Sequence, residues 1–200
     1  MRQDHVRLAG ERVVLRPLTP ADLPLLWRWN ADPELNRLTG DKFARWRDPR
    51  AWLVHLLRSP RRLGFAVETH QGRVIGDLEL EDIDWRRGTA ELRVCIGEKD
   101  CWGKGYGSDA VRVAARHALG SLGLRTLYLR VLRRNRRAIR CYGRCGFRCE
   151  AVLRAGRRRR QGWDDLLLMT LTPAAAGLTP ASRAAKFSNT SAFPGDDGEE

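Results

Sequence analysis

The spacing of apolar and polar positions along the chain predicts a mixed α/β fold. Short aliphatic runs bounded by turn residues are typical of strands, whereas apolar residues three or four positions apart are typical of helices. The predicted strands cover residues 11–18, 63–70, 72–85, 88–97, 125–132, 147–153 and 163–171, and the predicted helices cover 19–30, 48–58, 108–123 and 135–146. Because only turn residues separate the three strands between 63 and 97, we expect an antiparallel meander within a mixed, largely antiparallel central sheet flanked by helices.

The same pattern divides the chain into three parts. Residues 1–10 form a lead-in, residues 11–173 form one domain, and from Ala174 onward the periodicity gives way to Ala, Ser, Pro, Gly and a terminal acidic cluster. That composition predicts a disordered tail over residues 174–200. No run of about 18 apolar residues predicts a membrane span, and the first residues lack the apolar core of a secretory signal.

The spacing of the cysteines and the net charge indicate which kinds of ligand the protein is expected to bind. The spacing of the five cysteines fits no zinc pattern, so we expect no metal site and reduced thiols in a cytoplasmic protein. The net charge is +13, and only four of the 37 basic residues are lysine. Because the arginines are spread along the chain, a compositional bias explains them at least as well as nucleic-acid binding. The positive charge still favours anionic ligands such as phosphates.

The segment CWGKGYGSDA, residues 101–110, is the strongest local signal for a ligand site. Gly103, Gly105 and Gly107 lie between a strand ending near Ile96 and a helix starting near Ser108. A helix start exposes unpaired N–H groups and the positive end of the helix dipole, and glycines beside it leave room for a phosphate. The pattern therefore suits a pyrophosphate, although a plain turn before a helix would look the same.

Two common phosphate loops do not fit. A Walker loop needs Ser or Thr after its lysine, but Lys104 is followed by Gly105. Gly105-x-Gly107-x-x-Ala110 satisfies the degenerate dinucleotide pattern, yet the following strand LRTLYLRVL contains no acidic residue for a ribose. A nicotinamide enzyme is therefore not expected.

WGKGYG at 102–107, followed by NRRAIRCYGRCGF at 135–147, resembles the acetyl-CoA-binding signature of the GNAT superfamily of N-acetyltransferases. Gly105 and Gly107 match the small positions of the superfamily loop Gln/Arg-x-x-Gly-x-Gly/Ala, whereas Trp102 stands where Gln or Arg is commonest. That tryptophan, with GERVVLRPLTPADL and GDLELEDIDWRRGTAELRVCIG, resembles the branch containing ribosomal-protein alanine and diamine acetyltransferases. The resemblance covers about residues 8–173.

The resemblance implies acetyl-CoA as co-substrate and direct transfer to an amine in a ternary complex. It places the coenzyme against Val94, Cys95, Ile96, Trp102, Gly103, Lys104, Gly105, Tyr106, Gly107, Ser108, Asn135 and Arg137. In this scheme backbone amides of 103–108 hold the diphosphate, and Arg137, with Arg136 or Arg140 as alternatives, reaches the 3′-phosphate. The amides of 94–96 polarise the thioester carbonyl.

Two side chains carry the predicted proton transfers. An alkylamine has a pKa of about 10 and must be deprotonated before it attacks, and Glu91 lies where many superfamily members have a glutamate base, acting directly or through water. Tyr142 matches the tyrosine that protonates the leaving thiolate in much of the superfamily. A surface glutamate and a core tyrosine are the alternatives. Cys95 and Cys141 are not favoured as nucleophiles, because no paired histidine is evident.

The sequence indicates the acceptor site less specifically than the coenzyme site. The Trp-rich segment 26–46 corresponds to a wall of the acceptor cleft in the superfamily, and we predict Glu34, Asn36 and Trp85 as contacts, with Trp163 as a further candidate. The RRRR run at 157–160 is predicted to lie in a loop between the last strands. The acceptor is a small amine, including an antibiotic, or a protein N-terminal α-amine such as that of a ribosomal protein. The alternative is a non-catalytic, nucleic-acid- or ribosome-associated module with the same fold.

Overall fold

The computed structural model describes residues 6–39, 49–154, 158–159, 162–163 and 165–178. Its strands are β1 (Leu8–Ala9), β2 (Val13–Pro17), β3 (Leu63–Thr69), β4 (Val74–Asp84), β5 (Thr89–Ile96), β6 (Thr126–Leu132), β7 (Arg148–Leu153), β8 (Arg158–Arg159), β9 (Gly162–Trp163) and β10 (Leu166–Leu171). Its α-helices are α1 (Leu23–Ala31), α2 (Pro33–Thr39), α3 (Pro49–Arg58), α4 (Tyr106–Ala115) and α5 (Arg136–Arg144). A 3₁₀ turn, Pro20–Asp22, precedes α1, and a π-helical turn, Arg116–Ser121, extends α4.

Eight strands form one sheet in the order β1-β2-β3-β4-β5-β6-β10-β7. Every neighbouring pair is antiparallel except β5 and β6, which run parallel. The predicted fold class and the predicted meander of β3, β4 and β5 are therefore confirmed. The crossover from β5 to β6 passes through α4, as parallel strands require.

The parallel pair separates part-way along its length. Thr89 pairs with Thr126, and the register ends where Glu91 faces Tyr128. Strand β5 nevertheless continues to Ile96, and β6 continues to Leu132. The two strands thus diverge at the centre of the sheet and leave a gap between them.

Helices cover both faces of the sheet, so the central strands are buried on both sides. The face beneath α4 carries the larger core, which includes Leu78, Leu80, Leu92, Val111, Leu119, Leu127 and Leu129. The opposite face, beneath α1 and α3, carries a second core of Leu18, Leu26, Trp29, Leu35, Trp52, Leu53, Leu56 and Ala66. Burial on both faces explains why β3 reads as a nearly continuous apolar run rather than as an alternating one.

Several local elements differ from the sequence prediction. Helix α2 was not predicted; its first turn is capped by Asp32, whose carboxylate accepts hydrogen bonds from the amides of Glu34 and Leu35 at 2.8 and 3.1 Å. Strand β1 lies within the predicted lead-in and pairs with β2. Within the arginine run predicted as loop, β8 pairs with β9 as a short hairpin.

Residues 174–178 are the part of the predicted tail that the structure describes. The amide of Ala176 donates to the Thr172 carbonyl and that of Leu178 to the Pro173 carbonyl, so residues 173–178 form a turn. Ala176 and Leu178 pack against the larger core. Residues 179–200 of the predicted tail lie outside the described residues. Among the described helices, none has the length and apolar character needed to cross a bilayer.

Candidate functional site

A cavity of about 680 Å³ occupies the gap between β5 and β6. One end reaches the glycine loop and α5, and the other reaches α1 and α2. Its volume lies in the range of small-molecule sites. The predicted coenzyme contacts that line it are Val94, Cys95, Ile96, Trp102, Gly103, Gly105, Gly107, Ser108, Asn135 and Arg137.

The glycine loop shapes the first end of this cavity. Gly103 and Gly105 have φ values of 75° and 87°, in the left-handed region that side chains disfavour. Gly105 is the N-cap of α4, so the helix begins at Tyr106 rather than at the predicted Ser108, and Gly107 lies in its first turn. The amides of that turn have no acceptor within the helix, and the absence of Cβ atoms leaves them accessible to an anion.

Two of the predicted contacts in the loop, both among the described residues, do not line the cavity. Lys104 is exposed, and the Tyr106 side chain packs against the larger core. Both residues can therefore contribute backbone amides to the loop, while their side chains point elsewhere. Positive charge at this end of the cavity comes from arginines of α5, since Arg137, Arg140 and Arg144 line it.

Trp102 and Arg137 join the loop to α5. The Trp102 indole N–H donates to the Ile96 carbonyl at 2.6 Å, which fixes the ring at the end of β5. The Arg137 guanidinium lies 3.5 Å from the centroid of that ring. Burial lowers the pKa of Arg137, although an arginine stays charged at neutral pH. The Arg137 cation thus stacks on the tryptophan that replaces the commoner Gln or Arg of the superfamily loop.

Helix α5 places Asn135 and Tyr142 on the cavity. Asn135 is the N-cap of α5, and its Oδ1 accepts a hydrogen bond from the Ala138 amide at 3.1 Å. Tyr142 is buried, lines the cavity, and packs its ring against Phe147 with centroids 5.9 Å apart. Burial raises the pKa of Tyr142, so the phenol keeps its proton throughout the neutral range.

Glu91 lies where β5 and β6 part. Its carboxylate is buried, and both oxygens accept hydrogen bonds from Arg130 of β6, with the Arg130 Nε 2.9 Å from Oε1. The cavity lining includes Arg130 but not Glu91. The Glu91 carboxylate is thus connected to the cavity by its hydrogen bonds to Arg130.

Sequence reasoning missed two buried carboxylates on the neighbouring strand β4. Asp77 and Glu79 line the cavity and lie opposite Cys95 and Arg93 of β5. Arg62 binds Glu79 at 2.6 Å. Their alternation along β4 was visible in the sequence, but only the sheet register shows that they face the cavity.

Of the three predicted acceptor contacts, one lines the cavity and two do not. Asn36 lines the cavity and donates to the Asn30 carbonyl. Glu34 instead forms an ion pair with Lys99 at 2.8 Å, and Trp85 donates from its indole to the Pro60 carbonyl at 2.8 Å. Neither belongs to the lining, because each is directed to a surface partner. The side chain of Trp163 lies outside the described residues.

Comparison with known proteins agrees with this geometry. Residues 12–148 match the model of the acetyltransferase (GNAT) domain family. The chain is 32% identical over 83 residues to spermidine N(1)-acetyltransferase of Vibrio cholerae, covering 42% of this chain and 47% of that enzyme. It is 27% identical over 153 residues to human alpha/beta-tubulin-N-acetyltransferase 9, covering 70% of this chain and 74% of that protein.

A solved structure gives the same fold. The spermidine N-acetyltransferase of Vibrio cholerae in complex with CoA and spermine superposes with a TM-score of 0.71 at 23% identity, over 82% of this chain and 97% of that chain. Some relatives are longer: the chain spans 28% of the uncharacterized protein MJ1062 of Methanocaldococcus jannaschii. GNAT acetyltransferases use acetyl-CoA as the acetyl donor. The family match over most of the chain, on a sheet with this central gap, shows that the chain belongs to the GNAT acetyltransferase family.

Proposed function

We propose that this protein transfers the acetyl group of acetyl-CoA to a primary amine by direct attack in a ternary complex. The observation that supports the proposal is a continuous cavity that runs from the glycine loop, through the gap between β5 and β6, to α1 and α2. A donor bound at one end and an amine entering from the other would meet at that gap. Holding both reactants in one cavity removes much of the entropic cost of bringing them together.

The loop end suits the phosphorylated part of the coenzyme. Backbone amides of residues 103–108 can donate to the diphosphate, and the three cavity-lining arginines of α5 supply positive charge. Asn135, already fixed as a helix cap, can also bind the pantetheine arm through its amide group. These contacts orient the thioester toward the point where the strands diverge.

The gap itself suits the acetyl transfer. Beyond Glu91 the described register of β5 with β6 ends, so amides of residues 94–96 can donate to the thioester oxygen as negative charge develops there. The amine nitrogen forms a bond to the carbonyl carbon, and the carbon–sulfur bond breaks. The sulfur leaves with the electron pair and takes the proton of the Tyr142 hydroxyl.

A carboxylate must accept the proton of the attacking amine. Glu91 is the base expected from the sequence, and its ion pair with Arg130 makes a water-mediated route the one we propose for it. Asp77 is a second candidate, since its buried side chain lines the cavity directly. The pH dependence of kcat at saturating amine distinguishes them, because removal of the true base changes its acid limb and removal of the other carboxylate does not.

The acceptor half of the cavity favours some amines over others. Arg37, Arg93 and Arg130 line it together with Asp77 and Glu79. This mixed but arginine-rich lining disfavours a polycation, although a named relative acts on spermidine. We therefore propose a small monoamine, or a protein N-terminal α-amine, as the acceptor class.

The experiment is an amine panel assayed by release of free CoA thiol. Purified protein and acetyl-CoA are combined with monoamines, aminoglycosides, spermidine and peptides with free N-termini, including those of ribosomal proteins. We expect turnover with a monoamine or a peptide, at a kcat/KM above that for spermidine. Absence of thiol release with every amine, together with salt-sensitive RNA binding, would favour the non-catalytic alternative.

A further inference from the structure

A pair of thiols lies directly beneath the glycine loop. Cys141 lines the cavity, and its Sγ is 3.2 Å from the Ser108 hydroxyl in the first turn of α4. Cys145, one turn further along α5, is buried and donates from its Sγ to the Ser108 carbonyl at 3.4 Å. A Cβ built on Gly107 would lie 3.9 Å from the Cys141 Sγ, so the backbone of this turn lies beside the thiol.

The surroundings of Cys141 favour its thiolate. A hydrogen bond from Cys145 is the largest effect, and the Ser108 hydroxyl and the charges of Arg112 and Arg144 add to it against the opposing effect of burial. Together they lower the pKa of Cys141 to about 7, while the same contact raises the pKa of Cys145. Cys141 also lies beside the first turn of α4, whose amides have no acceptor within the helix.

We propose that Cys141 is a modification site that forms a mixed disulfide with anionic small-molecule disulfides, and that this adduct and bound coenzyme exclude each other. The Cys141 thiolate attacks one sulfur of the disulfide, a new sulfur–sulfur bond forms, and the other half leaves as a thiolate that takes a proton from water. A thiol reductant reverses the exchange. Arg137, Arg140 and Arg144 line this end of the cavity and favour carboxylate-bearing disulfides.

Cys145 assists rather than reacts. Side chains four residues apart on a helix keep their Cβ atoms about 5–6 Å apart, which exceeds the separation in a relaxed disulfide. Cys145 therefore does not close a disulfide with Cys141; when Cys141 is ionised, the single S–H of Cys145 turns from the Ser108 carbonyl to the Cys141 thiolate. Cys149, which is exposed, provides an internal reference thiol.

The test uses oxidised glutathione as the probe and peptide mass mapping as the readout, with the full chain at neutral pH. We expect Cys141 to gain one glutathionyl group about threefold faster than Cys149, since Arg137, Arg140 and Arg144 attract the carboxylates of the probe to the cavity that Cys141 lines. Cys145→Ala should slow the reaction at Cys141 and leave that at Cys149 unchanged. Equal or slower reaction at Cys141 would overturn the proposal.

The claim that the Cys141 adduct and bound coenzyme exclude each other rests on the proposed function. A second experiment tests it separately. Saturating acetyl-CoA should protect Cys141 but not Cys149, and the Cys141 adduct should fail to bind acetyl-CoA in calorimetry until it is reduced. Cys141→Ser, which keeps a small polar side chain, should bind acetyl-CoA before and after treatment. Modification of Cys141 without protection by acetyl-CoA would refute the exclusion and the coenzyme position, while leaving the reactivity of the thiol intact.

Discussion

Tyr142 has an environment that fits a proton donor. Its ring is buried against Phe147, its side chain lines the cavity, and burial keeps the phenol protonated at neutral pH. Tyr142→Phe preserves the ring packing and removes only the hydroxyl. We expect kcat to fall about 10²- to 10⁴-fold, with the dissociation constant for acetyl-CoA changed less than twofold.

Steady-state kinetics with the best amine of the panel, combined with calorimetric binding, measures both quantities. Phe147→Leu serves as the control, because it perturbs the neighbouring packing and keeps the hydroxyl. Equal turnover of the Tyr142→Phe variant and wild type would remove the acid role. A loss shared by both variants would assign Tyr142 to packing.

Individual site residues were predictable where local chemistry determined them. Gly105 and Asn135 occupy a positive-φ position and a helix cap, and both follow from short-range rules. The partners of Glu91 and Trp102 were not predictable, because Arg130 and Arg137 come from other elements that only the folded sheet brings close.

At the level of strands and helices, the ion pair of Glu91 with Arg130 joins β5 to β6 at the point where they part. Arg130→Met removes the partner of a buried carboxylate, which costs about 1–3 kcal/mol in stability, moderated by the partial exposure of Arg130. Urea unfolding of the variant should show this loss. The double variant Glu91→Gln, Arg130→Met should regain part of it, because no buried charge then lacks a partner. Unchanged stability of the single variant would show that the pair does not hold the strands.

Sequence periodicity predicted most of the long elements and missed the short ones. The meander, α4 and α5 follow from sustained apolar patterns and turn residues. Helix α2 has seven residues and one buried side chain, Leu35, which is too little apolar repetition to separate it from irregular chain. The gap between β5 and β6 has no local signature, because strand divergence depends on which strands become neighbours in the sheet.

Across the whole molecule, many of the arginines are paired with carboxylates of the fold. Arg16, Arg62, Arg73, Arg93 and Arg130 each form ion pairs with carboxylates. Ion pairs use equal numbers of positive and negative groups, so the net charge of +13 remains. The arginines around the loop end of the cavity are those that matter for an anionic coenzyme.

The central claim is that bare backbone at the start of α4 binds the coenzyme, and calorimetric titration of acetyl-CoA into two matched glycine variants tests it most directly. A Cβ at Gly107 would meet Ile96 and Cys141 only at 3.5 and 3.9 Å, so Gly107→Ala preserves the fold but narrows the loop end of the cavity. Gly143→Ala adds the same methyl group in α5, where nothing lies within 4 Å of it. We predict that wild type and Gly143→Ala bind acetyl-CoA equally well and that Gly107→Ala binds about tenfold more weakly, a difference of about 1.4 kcal/mol. Equal affinity of all three proteins, or no binding by wild type, would contradict the claim.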